Sequence, residues 1–398
     1  GSSVGSEEDR VSLMAGLRKA GVECNEQLEQ AYDDLGYKRE SDTWAPNDLY
    51  CRLYEPGADF YDDSLMTRAK EYSDTALIVI GRRGGEGRDL EKCQYDTNGR
   101  RDDSRTYLEI SPAEEILIDT VTRNFANVIV ILNAANAMEL GFLENPGIDA
   151  ALSVGFPGNS GTEAIGEILL GKATPSGHVA DTYAYDLTTA PTYCNASTDG
   201  PKIYDGGGAF WYIDYAEDIY VGYRYFETIP GAAERVNYPF GFGLSYTDFD
   251  WKMTGASEEN GVITVLTEVT NTGKTAGKEV IQLYYGAPQG KLGKPAKVLG
   301  AFKKTSLLQP GERQILTLKI PVDQMASYDD LGKVCRSAYV LEAGEYAIYI
   351  GTNVRDAAKI DFTYVVKEDT VTEQLSRKAA PYHLQKRMLA DGSYEELP

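Results

Sequence analysis

The chain has 398 residues, with 39 basic and 61 acidic side chains and a formal net charge of −22. Apolar residues make up 42 % of the sequence and charged residues 25 %, which excludes a wholly disordered chain. The negative charge argues against nucleic acid or an anionic membrane as a partner, because phosphate groups would be repelled. No apolar run approaches the ~18 residues that a membrane span requires.

The first part of the chain alternates predicted helices with short apolar strands. The strands at 75–80, 128–132 and 150–156 are almost continuously apolar, as expected when both faces of a parallel sheet are covered. Ser111 begins one helix, where Pro112 needs no N–H group and Glu114 completes a capping box. This pattern predicts an open α/β sandwich. The other predicted helices lie at 12–19, 25–35, 64–72 and 163–170.

From Asp248 onward, apolar residues alternate with a period of two, which indicates strands. Turn signals separate these strands, and short strands between regular turns are typical of a β-sandwich of immunoglobulin or fibronectin type. In the polar tail, a helical patch is predicted at 384–390. The turn signals are Asn271-Thr272-Gly273, Gln309-Pro310-Gly311 and Glu342-Ala343-Gly344.

These changes of pattern predict four segments. An α/β sandwich domain is predicted over residues 1–190, followed by a Gly- and Tyr-rich connection over 191–247. A fibronectin type III-like β-sandwich is predicted over 248–366, and a linker over 367–398. Because an α/β domain usually begins with a strand and this chain enters on a helix, we expect the natural first strand to be missing.

The sequence predicts neither a metal site nor a cofactor. The acidic run from Asp96 to Asp103 fails the EF-hand spacing, and a solvated charge run explains it better. His178 and His383 are far apart and have no cysteine or histidine companion nearby. The cysteines are odd in number and widely spaced, which favours reduced thiols and a cytoplasmic location over a disulfide framework. They are Cys24, Cys51, Cys93, Cys194 and Cys335.

Glu86 is the candidate catalytic residue because of its position and its neighbours. It follows the apolar strand that ends at Ile80, and ligands of open parallel sheets bind beyond the carboxyl ends of strands. Gly85 and Gly87 leave its carboxyl group accessible to a ligand. A general acid/base and a solvated loop glutamate both fit this pattern, and on the pattern alone the second is the more common.

Longer motifs identify the chain more specifically. Together with Gly85-Glu86-Gly87-Arg88-Asp89, these motifs resemble the non-barrel part of glycoside hydrolase family 3, the β-glucosidase group, both in their residues and in their order along the chain. The resemblance covers nearly the whole chain. The motifs are "NSGTEAIGEILLG" at 159–171, "PSG" at 175–177, "YVGYRYFET" at 220–228, "YPFGFGLSYTDF" at 238–249, "VTNTGKTAGKEVIQLYYGAP" at 269–288 and "LLQPGERQILTLKI" at 307–320.

The resemblance implies a retaining glycosidase that combines a TIM-like barrel, an α/β sandwich and a fibronectin type III-like domain. An aspartate on the barrel would be the nucleophile, and Glu86 would be the general acid/base. Arg88 and Asp89 match the neighbouring motif positions and are candidate substrate-binding residues. Leu90 stands where the family usually has arginine, and His178 replaces the basic residue that usually follows Pro-Ser-Gly.

The chain contains no Ser-Asp-Trp or Ser-Asp-Tyr nucleophile motif and has no room for a barrel of ~250 residues. The tail resembles the connector that precedes the barrel in members with inverted domain order. We therefore expect a separate barrel domain or chain as the partner, and a β-glucoside or oligosaccharide as the substrate. The alternative is a non-catalytic sugar-binding or scaffold subunit.

Overall fold

The computed structural model describes residues 10–37, 46–84, 91–134, 136–194, 202–205, 208–211, 215–378 and 384–398. These residues form two compact units, the first ending at Ala173 and the second beginning at Thr174. Among the described residues, none of the helices combines the length and apolar character that a membrane span requires.

The first unit alternates helices and strands, as predicted. Its helices are α1 (Leu13–Ala20), α2 (Glu26–Asp34), α3 (Asn47–Tyr50), α4 (Asp63–Tyr72), α5 (Pro112–Asn124) and α6 (Thr162–Leu169). Its strands are β1 (Thr75–Arg82), β2 (Gln94–Tyr95), β3 (Arg101–Asp102), β4 (Asn127–Ala134) and β5 (Ala150–Ser153).

A parallel sheet with the strand order β1–β4–β5 forms the centre of this unit. Thr75 pairs with Asn127 at the start of β1, and Ile129 pairs with Ala150 at the start of β5. The three predicted apolar strands are confirmed, although β5 ends at Ser153 and not at Phe156. Since parallel strands share one direction, their carboxyl ends lie at the same edge of the sheet.

Both faces of the sheet are covered by helices. Leu77 and Ile131 pack on one face with Leu17 of α1 and Ile165 of α6. Side chains alternate along a strand, so the buried Ile78 points to the opposite face, and α5 contacts β1 and β4. The open α/β architecture is therefore confirmed.

Two glycines allow helices α1 and α6 to approach closely. A Cβ atom at Gly16 would lie 2.5 Å from the Thr162 hydroxyl oxygen, and one at Gly166 would lie 2.5 Å from the Ala20 Cβ atom. Real Cβ atoms do not approach other atoms so closely. Any larger residue at either position would push the two helices apart.

The second unit is mainly antiparallel β-structure, and among its described residues one short α-helix occurs, α7 (Tyr223–Phe226). The strands before the sandwich are β6 (Tyr183–Ala184), β7 (Lys202–Asp205), β8 (Gly208–Trp211) and β9 (Val236–Tyr238). The later strands are β10 (Phe249–Glu259), β11 (Val262–Asn271), β12 (Val280–Gly286), β13 (Val298–Lys304), β14 (Arg313–Pro321), β15 (Ser327–Asp329), β16 (Ala338–Leu341), β17 (Gly344–Gly351), β18 (Ala358–Val366), β19 (Thr370–Gln374), β20 (Lys386–Met388) and β21 (Tyr394–Glu396).

Two sheets form the predicted β-sandwich. One has the strand order β10–β11–β14 and the other β13–β12–β17–β18. Inward-facing residues such as Ile263, Ile281, Leu316 and Ile348 are fully buried in a common core. The period-two pattern is thus confirmed, because one face of each strand contributes to this core.

The Gly- and Tyr-rich connection contributes a second core to this unit. Tyr220, Tyr225 and Phe226 are buried together with Ala184 and with Met388 from the tail. The unit therefore contains parts of the predicted connection and tail in addition to the sandwich. The predicted boundaries at 190, 247 and 366 stay a prediction.

The helical patch predicted at 384–390 is wrong. Lys386–Met388 is a strand, β20, and it pairs antiparallel with β21. Gly392 has a positive φ of 84° in the turn between them, and the Leu389 N–H group donates to the Ser393 carbonyl. A tight turn with a left-handed residue favours a hairpin, and this outweighs the helix propensity of the preceding leucine and alanine residues.

Candidate active site

The predicted catalytic loop begins where β1 ends. Glu86, Arg88 and Asp89 belong to residues 85–90, which lie outside the described residues, as does Leu90. The described chain reaches Gly84 and starts again at Glu91. The structure therefore defines the two points of attachment of this loop, the first of them at the carboxyl edge of the sheet.

Arg82 holds the end of β1 in place. Its side chain is fully buried, and its Nη1 and Nη2 atoms each donate to one carboxylate oxygen of Glu114 at 2.7 Å. The same guanidinium donates to the carbonyls of Tyr107 at 2.7 Å and Glu109 at 2.6 Å. The bidentate pair, together with these backbone acceptors, fixes the strand end relative to the start of α5.

Glu114 has a second role in the capping box that the sequence predicted. Its Oε2 atom accepts from the Ser111 N–H group at 2.7 Å, and the Ser111 hydroxyl accepts from the Glu114 N–H group at 3.2 Å. One carboxylate thus caps α5 and neutralises the buried Arg82. The capping role could be predicted from local sequence, whereas the ion pair could not.

The next two residues are held by neighbours as well. The Arg83 N–H group donates to the Tyr107 hydroxyl at 2.9 Å, and the Arg83 guanidinium lies 4.2 Å from the ring centroid of Tyr50. A Cβ atom at Gly84 would lie 2.6 Å from Asn136 Nδ2, so a larger residue would require Asn136 to move. The chain is therefore positioned tightly up to the residue before the loop.

Asn136 is a candidate that sequence reasoning missed. It follows β4, so it lies at the same sheet edge as the end of β1. Its Nδ2 atom is buried and has no hydrogen-bond partner among the described residues. No sequence motif marks this asparagine. Its amide group lies beside Gly84 only because β1 and β4 end at the same edge of the sheet.

Two buried thiols lie near the attachment points. Cys51 and Cys93 belong to a buried cluster with Tyr50, Tyr95 and Tyr107. Burial raises the pKa of the Cys93 thiol, so it is protonated at neutral pH. Cys24, Cys51, Cys93 and Cys335 form no disulfide, and the side chain of Cys194 lies outside the described residues.

Glu55 is a second residue that the sequence did not single out. Burial raises its pKa to about 7, although the Tyr61 hydroxyl donates a hydrogen bond to its Oε1 atom and so opposes the shift. The Tyr32 hydroxyl lies 2.9 Å from the Tyr61 hydroxyl. The raised pKa of Glu55 depends on the fold, because the residues around its carboxyl group come from separate segments of the chain.

The acidic residues after the loop are used in local turns. Asp96 Oδ1 accepts from the N–H groups of Asn98 and Arg100, each at 2.9 Å. Asp102 Oδ1 accepts from the Ser104 N–H group at 2.9 Å and hydroxyl at 2.6 Å. Within the described ranges, no group of three or more histidine, cysteine or acidic residues is arranged to hold a metal ion.

His178 joins two segments of the second unit. Its Nδ1 atom lies 2.5 Å from the Gly241 carbonyl oxygen, and its Nε2 atom lies 3.1 Å from Glu279 Oε1. Burial lowers the pKa of His178, but the hydrogen bonds to Glu279 and Gly241 outweigh burial, so the net pKa is raised. His178 is therefore a structural residue with a pH-dependent ion pair.

The second unit is expected to lose stability as the pH rises through the folded pKa of His178. The folded pKa lies above the unfolded value, so the stabilisation is fully present below about pH 6.5 and is lost at higher pH. We expect a loss of about 1.5 kcal/mol, typical of a hydrogen bond to a charged group. Urea unfolding at pH 6, 7 and 8 measures it, and the loss is expected to be absent in His178→Gln. An equal pH dependence in both proteins would contradict the assignment.

The sequence profile of the glycosyl hydrolase family 3 C-terminal domain matches residues 4–246, and that of a fibronectin type III-like domain matches residues 279–354. Among curated proteins, beta-glucosidase A of Butyrivibrio fibrisolvens is 45 % identical over 84 % of this chain. A beta-glucosidase of Ruminococcus albus is 39 % identical over 96 % of this chain. The chain spans only 42 % and 38 % of the lengths of these two relatives.

Solved structures of beta-glucosidases also match nearly the whole of this chain. A beta-glucosidase from Paenibacillus barengoltzii matches 98 % of this chain with a TM-score of 0.82 at 38 % identity. Beta-glucosidase 3B from Thermotoga neapolitana, solved in complex with glycerol, matches 94 % of this chain with a TM-score of 0.76 at 31 % identity. The matched region covers 41 % and 48 % of those two chains.

Proposed function

Because the chain belongs to glycoside hydrolase family 3, we propose that it supplies the general acid/base, Glu86, to a β-glucosidase-like active site shared with a TIM-like barrel. The observation that carries this proposal is the point at which the Glu86 segment joins the described chain. Gly84, the last described residue before this segment, follows the carboxyl end of β1, which is the edge where open parallel sheets bind ligands. The barrel would provide the nucleophilic aspartate.

Hydrolysis would proceed in two steps with net retention of configuration. In the first, the barrel aspartate attacks the anomeric carbon while protonated Glu86 gives its proton to the departing glycosidic oxygen. In the second, ionised Glu86 takes a proton from water, which attacks the anomeric carbon and releases the sugar and the aspartate. The two carboxyl groups must lie ~5–5.5 Å apart for this chemistry.

Arg88 and Asp89 would bind the substrate beside Glu86. They are two and three residues further along the same segment, which follows Arg83 and Gly84 after the end of β1. A guanidinium and a carboxylate can hydrogen-bond to sugar hydroxyls. The substrate would be a β-glucoside or an oligosaccharide, consistent with the names of the relatives.

The partner would be a barrel domain or chain that follows this one in an inverted domain order. A reducing, cytoplasmic location is supported by the cysteines, because those with described side chains form no disulfide. No cofactor is required by the two-step mechanism.

Mixing the chain with the barrel portion of a related β-glucosidase tests the shared active site. We expect hydrolysis of 4-nitrophenyl β-glucoside with the mixture and none with either part alone. The first sugar product, observed by proton NMR, is expected to be the β-anomer. Hydrolysis by the barrel alone at the rate of the mixture would reject the proposal, and tight sugar binding without hydrolysis in the mixture would favour the non-catalytic alternative.

A further inference from the structure

Tyr107 contacts the described chain on both sides of the segment that carries Glu86. Before the segment, Arg82 Nε donates to the Tyr107 carbonyl at 2.7 Å, and the Arg83 N–H group donates to the Tyr107 hydroxyl at 2.9 Å. After the segment, the Tyr107 N–H group donates to the Glu91 carbonyl at 3.2 Å. One residue therefore joins the points at which the described chain stops and starts again.

Tyr107 is itself held in place by the first unit. Only 1 % of its surface is exposed, and it packs with Tyr50 in a buried cluster. The side-chain amide of Gln94 donates to the Thr106 carbonyl at 2.8 Å and to the Glu109 carbonyl at 3.0 Å, so the chain is fixed before and after Tyr107. The position of Tyr107 is thus set by contacts that do not involve the segment itself.

The hydroxyl contact is the one that depends on the tyrosine side chain. Any residue except proline has the carbonyl and N–H groups that Arg82 and Glu91 contact. Phenylalanine would keep the buried ring, but the Arg83 N–H group would lose its acceptor. Arg83 precedes Glu86 by only three residues, so few backbone dihedral angles separate this hydrogen bond from the predicted catalytic carboxyl group.

The proposed reaction depends strongly on where the carboxyl group of Glu86 lies. The two carboxyl groups of a retaining glycosidase must lie ~5–5.5 Å apart, and a misplacement of about 1 Å can cost about 10²-fold in rate. Gly85 and Gly87 flank Glu86, and glycine adopts many backbone conformations. The placement of Glu86 therefore depends on what fixes the chain on either side of these glycines.

We propose that Tyr107 is a positioning residue for the general acid/base. Its hydroxyl group holds the Arg83 N–H group and its backbone N–H group holds Glu91, so both ends of the Glu86 segment are fixed to one buried residue. Because it is buried, Tyr107 acts through Glu86 and not on the substrate. The inference rests on the proposed function, since it takes Glu86 as the acid/base.

Tyr107→Phe, in the enzyme assembled with its barrel, tests the proposal. On alkyl β-glucosides, whose departing oxygen needs a proton, we expect kcat to fall about 10–100-fold with KM unchanged. With 2,4-dinitrophenyl β-glucoside and azide, neither step needs Glu86, so the variant and the unmodified enzyme should turn over at the same rate. A merely structural role would lower both rates together.

Tyr95→Phe is the matched control. Tyr95 is buried in the same cluster, but its hydroxyl accepts from Arg101 Nη1 at 3.5 Å, within the β2–β3 hairpin. We expect this variant to hydrolyse alkyl β-glucosides as the unmodified enzyme does. If Tyr107→Phe fails to fold, Arg83→Pro removes the N–H group from the other side of the same hydrogen bond and should reproduce the loss. Arg83→Ala keeps that N–H group and should not.

Two results would overturn the positioning role alone. One is an equal kcat of Tyr107→Phe and Tyr95→Phe on alkyl β-glucosides, while Glu86→Ala is inactive on them. The other is a loss in Tyr107→Phe that persists with the activated substrate and azide, because the whole active site would then be damaged. Full activity of Glu86→Ala on alkyl β-glucosides would instead reject the proposed function, and the positioning role with it.

Discussion

Replacing Glu86 with alanine, in the enzyme assembled with its barrel, is expected to lower kcat by about 10²–10⁴-fold on substrates with poor leaving groups. Without the carboxyl group, the departing oxygen must leave as an alkoxide. Substrates with good leaving groups need no proton in the first step, so their glycosyl-enzyme should form and then accumulate. Steady-state rates across a series of aryl and alkyl β-glucosides measure this difference.

Azide distinguishes a folded variant that lacks the acid/base from a variant that has lost its fold. It is a strong nucleophile that needs no deprotonation, so it should restore turnover of an activated substrate in Glu86→Ala and yield a β-glycosyl azide. Glu71→Ala is the matched control, since Glu71 is an exposed glutamate at the end of α4. Activity in Glu86→Ala equal to that of Glu71→Ala, with no azide product, would reject the role of Glu86.

Replacing Glu114 with alanine is expected to reduce the free energy of unfolding of the first unit by about 3–5 kcal/mol. The change leaves the fully buried Arg82 with an uncompensated charge and also removes half of the capping box. The bidentate pair and the cap share one carboxylate, so both losses occur together. Urea unfolding at pH 7, followed by circular dichroism, measures the change.

Glu115→Ala is the matched control for this variant. Glu115 is the next residue on the same helix and pairs with Arg105 at 2.7 Å, but it is exposed. Exposed ion pairs contribute at most about 1 kcal/mol, so this variant should unfold almost like the unmodified chain. Equal losses in Glu114→Ala and Glu115→Ala would show that burial of the Arg82 pair has no energetic weight.

The first unit could be predicted in detail because its signals are local. Ser111 and Glu114 are three residues apart, and this spacing at the start of an apolar helix predicts the capping box that joins them. The pair between Arg82 and Glu114 joins residues 32 positions apart, and no periodicity in the sequence connects them. Only in the folded sheet does the end of β1 lie next to the start of α5.

In the candidate site, too, the sequence predicts only those features whose signals are local. The glycine neighbours of Glu86 and its place after an apolar strand made it a candidate, the family resemblance implied its catalytic role, and that role stays a prediction. The signals at Glu55 and Asn136 arise from burial that the fold produces, so no spacing in the sequence reveals them. The tail shows the opposite error, since the local helix propensity at 384–390 is outweighed by pairing with β21.

The rate at which a thiol reagent labels the buried Cys93 can be used to measure local opening of the protein. Cys93 has no exposed surface, and its raised pKa leaves little thiolate for a maleimide or a disulfide reagent to attack. Labelling must therefore wait for local opening of this part of the protein. Because Cys93 packs with Tyr50, Tyr95 and Tyr107, its labelling rate reports how often this buried cluster opens.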